Sequence, residues 1–340
     1  DNQVYGLFGI LKGATVRNLV LGAESGDTGS FTVSGNGTTS TGVIAGACVD
    51  SKIEKCTSYL PMVCEGNNSA NKLMTMGLVG FVYGAGTSED TVSQLTDLTN
   101  YGALKADPGA ANANGFTSTQ VGGIAGFSNT SRTSTFANRF LRCINHGDMT
   151  VSTGRASGIV AAANTFTHIV ECENYGDMMN TYAGSKGGRL GNITCITGTG
   201  CSMTDCINNG NLVSTGGARC GGLLSLANHA TNSFSGCANY GEIVTDDANR
   251  GVFFGYSAYA TNWINCIAGG KVGVYNGGTT VYDSYGENEQ VRYLGVQKAT
   301  DPINADNITY LIGSSSGGSG GDDDVEPTLR ILFIGNSFTK

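Results

Sequence analysis

The sequence predicts an all-β chain, wound as a single-stranded right-handed parallel β-helix of about eight coils with three short strands per coil. Three observations carry that prediction. A short phrase recurs as Cys143-Ile-Asn145-His-Gly147, Cys172-Glu-Asn174-Tyr-Gly176, Cys206-Ile-Asn208-Asn-Gly210, Cys237-Ala-Asn239-Tyr-Gly241 and Cys266-Ile-Ala268-Gly-Gly270, and its copies lie 29 to 34 residues apart. Leu98-Thr-Asn100-Tyr-Gly102 is a degenerate earlier copy. A fixed period of this size marks units that cannot bury their own apolar faces and must stack on their neighbours. Second, a Gly-apolar-x-Gly phrase alternates with the Cys phrase. Third, Gly supplies 53 of 340 residues and charged residues only 14%, against usual shares of about 7% and about 25%. That composition suits many short strands and tight turns, and few stretches carry a helical apolar stripe of useful length.

Within one coil the first strand is the Gly phrase. It reads Gly6-Leu-Phe-Gly9, Gly77-Leu-Val-Gly80, Gly123-Ile-Ala-Gly126 and Gly188-Arg-Leu-Gly191, with variants at Val43, Gly158, Gly222 and Val252. The Cys phrase follows as the second strand. The third is the short run after it: Asp148-Met-Thr-Val151, Asp177-Met-Met179, Asn211-Leu-Val213, Glu242-Ile-Val244 and Lys271-Val-Gly-Val274. Period-2 alternation gives each strand one or two inward apolar residues. At about 4.8 Å per coil, eight coils make a rod roughly 40 Å long. Insertions at 57–76 and 86–120 are expected on one face or corner.

Five of the eleven cysteines hold one position of the repeat: Cys143, Cys172, Cys206, Cys237 and Cys266. No C-x-x-C occurs and the chain has three histidines, which argues against zinc. Parallel neighbours point their thiols the same way, which suits disulfide geometry poorly. These cysteines are read as a buried thiol ladder. Asn145, Asn174, Asn208 and Asn239, with Asn100, are read as an amide ladder at the turn, since Asn tolerates turn conformations and its amide can bond the same group one coil away. The Gly after each Asn is expected to take the positive φ that closes the corner.

Toward the end of the array, Val281-Tyr-Asp-Ser284-Tyr-Gly286 reads as a last, shortened coil, and 287–312 as a cover over the exposed strand edges. At the other end, the first Gly-Leu-Phe-Gly comes so early that an N-terminal coil or cap is expected outside this sequence. The repeat domain therefore spans 1–312. Residues 313–328 are a Gly/Ser/Asp linker, and its Asp322–Asp324 run is a solvated charge cluster.

Residues 329–340, Leu-Arg-Ile-Leu-Phe-Ile-Gly-Asn-Ser-Phe-Thr-Lys, differ from everything before them. The run Ile331–Ile334 suits a buried parallel strand, and it breaks at Gly335-Asn336-Ser337. This tail resembles the opening block of SGNH/GDSL-type hydrolases, whose usual Gly-Asp-Ser reads Gly-Asn-Ser here, a form associated with a Bacteroidetes subfamily. The resemblance covers about twelve residues and implies the first strand of a truncated α/β domain, with Ser337 as nucleophile and its N–H as an oxyanion-hole donor. The base that serine needs would lie downstream, so no hydrolase activity is expected from this chain alone. His146, His168 and His229 are read as turn or surface residues. The rod itself resembles the Gly-rich GLUG repeats of adhesin-like bacterial surface proteins.

Composition also excludes partners. A net charge of −8 without a Lys/Arg cluster argues against nucleic acid. No apolar run approaches a membrane span of about 20 residues. A monomer is expected. The chain starts at Asp1 without a leader or anchor, and the resemblance implies a secreted or cell-surface location.

Three functional readings remain. In the first, the rod is a non-catalytic module that binds or positions an appended carbohydrate-esterase-like hydrolase on a polysaccharide or host glycan. Its contact candidates are Tyr101, Tyr175, Tyr240 and His146, which share one outward corner where rings can stack on sugars. In the second, the β-helix face is a polysaccharide lyase or hydrolase. That chemistry needs clustered carboxylates, and the candidate is the outward polar column Asp148, Asp177, Asn211 and Glu242. Stacking brings Asp148 and Asp177 within about 5 Å, where a surface cation is the one cofactor option. No metal site or other cofactor is expected. In the third, the rod is a structural adhesin spacer.

Overall fold

The computed structural model describes residues 2–26, 29–34, 38–65, 74–107, 119–152, 154–181, 188–259, 261–276, 279–284, 293–298 and 304–311. Linker 313–328 and segment 329–340, with Ser337, lie outside them.

The chain is a parallel β-helix. One coil shows its plan: Thr119–Gly122, Ala125–Thr130, Asn138–Leu141, Ile144–Asn145 and Met149–Val151. The first two strands belong to one sheet that bends at Gly123, and the other three each join a sheet of their own. Four sheets result, three of them with nine strands among the described residues. Register is kept residue for residue, as in Phe140↔Ile169, Asn145↔Asn174 and Met149↔Met178. The three runs read from the sequence are all strands. A further strand precedes each Cys, so that Phe140, Ile169, Met203, Phe234 and Trp263 form an inward column.

The core fills the tube between the sheets. Columns such as Met62, Leu104, Met149, Met178, Leu212 and Ile243 are buried along its whole length. Burying a side chain of that size stabilises by about 1.5–3 kcal/mol. Toward the C-terminal end the filling turns aromatic: Trp263 stacks on Phe234 at 4.2 Å and on Phe253 at 5.0 Å.

The corner chemistry differs from expectation. The left-handed residue of each coil is the one before the Cys position, not the Gly after the Asn. It is Asn18, Lys55, Asp97, Arg142, Glu171, Asp205, Gly236, Asn265 and Asn307 in successive coils, with φ between 50° and 64°. The later glycine is required for close approach instead. A Cβ on Gly147 would lie 2.0 Å from the Gly102 carbonyl oxygen, and one on Gly176 would lie 2.2 Å from that of Gly147.

One Gly phrase is also out of phase. Ile193, not Arg189 or Leu190, stands in the row of Ile159 and Leu223, as the bonds from Val160 N–H to Ile193 O and from Ile193 N–H to Leu223 O show. Asn192 thus replaces the phrase glycine in that coil.

The C-terminal end departs from the expected shortened coil. Thr279–Tyr282 turns back antiparallel on Val272–Asn276. Arg250 holds the next residue, Asp283, through two bonds of 2.8 and 3.0 Å. Val296–Gln297, Asn304–Asp306 and Thr309–Tyr310 then continue three of the sheets by one more strand each. Those described residues of the expected cover are therefore a coil in themselves.

Candidate functional site

The Cys phrase builds one edge of the rod from the inside out. Asn145 points inward and is fully buried. Its Nδ2 donates to Gly147 O within the coil at 2.9 Å and to Asn174 Oδ1 in the next coil at 2.9 Å. The relay begins at Asn100, which donates to Asn145 Oδ1 at 2.8 Å, and continues through Asn174 and Asn208 to Asn239 at 2.9 and 2.7 Å. Amide dipoles in such a chain reinforce one another in a low-dielectric interior.

The Gly phrase meets this ladder across the core. A Cβ on Gly158 would fall 2.1 Å from Asn174 Oδ1, and one on Gly222 would fall 2.4 Å from Asn239 Cγ. The two repeating phrases are therefore one packing unit: a bare backbone on one wall makes room for an amide on the other. Where Asn192 replaces the glycine, its Nδ2 turns to Gly210 O at 2.7 Å.

The cysteine column is equally interior. Cys143, Cys172, Cys206, Cys237 and Cys266 are buried free thiols. Cys172, Cys206, Cys237 and Cys266 donate to the carbonyl two residues earlier at 3.3–3.4 Å. Burial pushes ionisation of Cys143 and Cys206 well up. Elsewhere in the rod it raises Cys195 to about 12 and Cys201 to about 11. A neutral buried thiol is neither nucleophile nor metal ligand.

Outside the turn, the acidic column is tied to the backbone. Asp148 Oδ1 accepts the Asp177 N–H at 2.9 Å, Asp177 Oδ1 accepts the Asn211 N–H at 2.8 Å, and Asn211 Oδ1 accepts the Glu242 N–H at 3.0 Å. Lys271 then pairs with Glu242 at 3.7 Å. Each Asp or Asn spans one coil step. Asp148 and Asp177 follow one another as acceptors of successive peptide N–H groups, rather than facing each other across a site. Among the described residues, no three His, Cys, Asp or Glu side chains converge as metal ligands would.

The remaining outward position holds rings. Tyr101 and His146 stack with centroids 4.7 Å apart, and His146 and Tyr175 stack at 4.9 Å. Tyr59 extends the column, stacking on Tyr101 at 4.9 Å. The sequence signal for Tyr59 was weak because its turn reads Cys56-Thr-Ser-Tyr-Leu60, without the Asn and Gly. Four rings thus stand in file on four successive coils. With their faces taken up by stacking, the rings turn their edges to solvent, Tyr101 45% and Tyr175 44% exposed and Tyr59 and His146 half-buried between neighbours. Burial between its neighbours lowers the pKa of His146, against the opposing pull of Glu173. The Tyr175 hydroxyl donates to Glu173 Oε2, which fixes that ring. Tyr240, 42% exposed, is separated from the file by Asn209. Its ring lies against Gly269, where a Cβ would come within 2.9 Å of Tyr240 Cδ1.

The structure thus brings Tyr101, His146 and Tyr175 together and sets Tyr240 apart. His168 is half-buried on the strand before Cys172, its pKa lowered by burial and then by Arg139. No family model matches the chain, and no curated protein or solved structure shows significant similarity to it.

Proposed function

We propose that the rod is a non-catalytic glycan-binding or glycan-positioning module. The observation that carries this reading is the outward file of stacked rings Tyr59, Tyr101, His146 and Tyr175, of which Tyr101 and Tyr175 are exposed. Pre-stacked rings lose little freedom on binding and offer an apolar, polar-rimmed strip. Sugar rings present just such a C–H face with hydroxyls at the edge. The strip lies on a rigid scaffold of parallel strands, so a chain of sugars along the rod axis would meet successive rings.

On the resemblance of residues 329–340 to SGNH-type hydrolases, the module serves to place such an enzyme on a polysaccharide or host glycan, in a secreted or cell-surface protein. Ser337 would be its nucleophile. The lyase reading draws less support, because Asp148 and Asp177 each commit an oxygen to a peptide N–H.

A glycan array followed by affinity electrophoresis tests the proposal. The unsubstituted chain should be retarded by at least one polysaccharide, and Tyr101→Ala with Tyr175→Ala should remove the retardation. Absence of binding across the array leaves the spacer reading. Product release from any polysaccharide, lost on Asp148→Ala, would install the lyase in its place.

A further inference from the structure

A second outward feature lies where the bent sheet turns into the next. There an open groove of about 460 Å³ is lined by Arg132, Asn164, Phe166, Gly198, Asn228 and His229, among others. That volume falls within the range of small-ligand sites. Its lining includes one guanidinium and one imidazole and no acidic side chain, in a chain whose net charge is −8.

The groove is shaped by specific local choices. Phe166 holds φ at +34°, which a bulky residue adopts only when its surroundings impose it, and such strain clusters at binding sites. Two glycines give it room. A Cβ on Gly200 would fall 2.6 Å from the Phe166 ring, and one on Gly198 would fall 1.8 Å from Asn164 O. Asn164 is fixed by donating to Asn129 Oδ1 at 3.1 Å. The His229 Nδ1 accepts the Thr231 N–H at 3.3 Å, and the Thr231 hydroxyl in turn accepts the Gly200 N–H at 2.8 Å. The Nδ1 also lies 2.9 Å from the Thr231 hydroxyl oxygen, which fixes the ring. Tyr259, 44% exposed, lies beside His229 with ring centroids 6.0 Å apart.

We infer that this groove is a separate subsite for a pyranose unit bearing a carboxylate. The Arg132 fork matches a carboxylate through two parallel bonds. Asn164 and Asn228 supply the paired donor and acceptor that sugar hydroxyls need. The Phe166 ring in the lining offers apolar surface to the C–H side of the sugar. A phosphate polymer fits less well, because one exposed arginine without a basic cluster does not supply the footprint that such a backbone requires. The groove is distinct from the Tyr101 file, so either site can fail without the other.

Titration calorimetry on the full chain decides it, with oligogalacturonate and sialyllactose measured against an oligogalactoside and lactose. At least one acidic probe should bind at least about tenfold more tightly than its neutral counterpart, the value of one charge-assisted contact. That preference should vanish in Arg132→Gln and persist in Tyr101→Ala. Equal affinity for the neutral sugars overturns the inference. So does a preference that survives Arg132→Gln, tighter binding of inorganic phosphate or an oligonucleotide, or no saturable binding of either acidic probe at millimolar concentration.

Discussion

Tyr101 and His146 lie on adjacent coils with ring centroids 4.7 Å apart and planes within 3° of parallel. That separation is the coil rise itself, so the stack follows from the fold once rings occupy the same turn position. Stacking of this kind contributes about 0.5–1.5 kcal/mol per pair beyond area burial. His146→Ala removes two such contacts and should lower stability by about 1–2 kcal/mol in urea denaturation, while leaving Tyr101 and Tyr175 separated and weakening any ligand that bridges them.

The pH response of the file follows from the same residue. Burial lowers the His146 pKa below its ordinary value of 6.5. As pH falls through 6.5, the unfolded chain takes up a proton that the folded chain resists. Stability contributed by neutral His146 is therefore present above that pH and lost as pH falls toward the lowered folded value. An NMR titration should place the His146 midpoint below that of a His146-containing unfolded peptide. A midpoint above it would contradict the buried-ring account.

The thiols set the opposite limit. Cys48 and Cys195 are raised from 9.0 to about 12 by burial. The unfolded chain loses those protons first, so their stability is whole below pH 9 and disappears as pH rises toward the folded values. Each such thiol removes about 1.4 kcal/mol per pH unit in that window. Unfolding free energy should fall steeply from pH 9 upward. Native protein at neutral pH should leave its thiols unmodified by a disulfide reagent until it is denatured; rapid modification of all eleven cysteines in the folded state would contradict the interior ladder.

Glycine substitutions should divide by position. Gly176→Ala drives a Cβ to 2.2 Å from a backbone oxygen, and coils cannot separate without breaking their ladder; a loss of roughly 3 kcal/mol or more is expected, as for overpacking of a rigid core. Glu171→Gly acts the other way. Glu171 holds φ at +52°, a conformation that costs a non-glycine residue of order 1 kcal/mol, so this substitution should leave thermal stability unchanged or raise it. A midpoint lowered by Glu171→Gly as far as by Gly176→Ala would refute the assignment of the corner.

Much of this was legible from period alone. Because the Cys, Asn and Gly stand at fixed offsets, stacking puts each in a column, and columns of buried Cys and Asn have few other uses than packing and amide relay. What period could not give was the reason for each glycine. Gly147 and Gly176 looked like turn closers, yet positive φ falls on Arg142 and Glu171, residues whose identity carries no turn signal. The strand of Phe140 and Trp263 was missed because its outward neighbours vary freely while only one inward residue per coil is apolar. The frame of Gly188–Gly191 misled for a related reason: two glycines three apart imitate the phrase, whereas Ile193 is the residue in the row of Ile159 and Leu223. At the surface, Asp148 and Asp177 looked like a charge pair because sequence shows proximity but not the peptide N–H groups that take up their oxygens. Tyr59 escaped because its turn lacks the Asn.

The amide ladder supplies a further test of this economy of repeats. Asn174→Ala would strand the Asn145 donor, the Asn208 Oδ1 acceptor and the Gly176 carbonyl that Asn174 now satisfies at 3.0 Å. Unpaired buried polar groups cost about 1–3 kcal/mol each, so a loss of about 3 kcal/mol is expected in denaturant unfolding. A loss below that of a surface substitution would show that water replaces the amide.

The central claim is that the ring file is the glycan-contacting face. Ring-labelled Tyr and His spectra, recorded while an oligosaccharide selected by the array is titrated in, test it most directly. The account predicts saturable shifts at Tyr101, His146 and Tyr175 with buried Tyr293 unmoved; shifts absent from these three rings, while the sugar binds elsewhere on the rod, would contradict it.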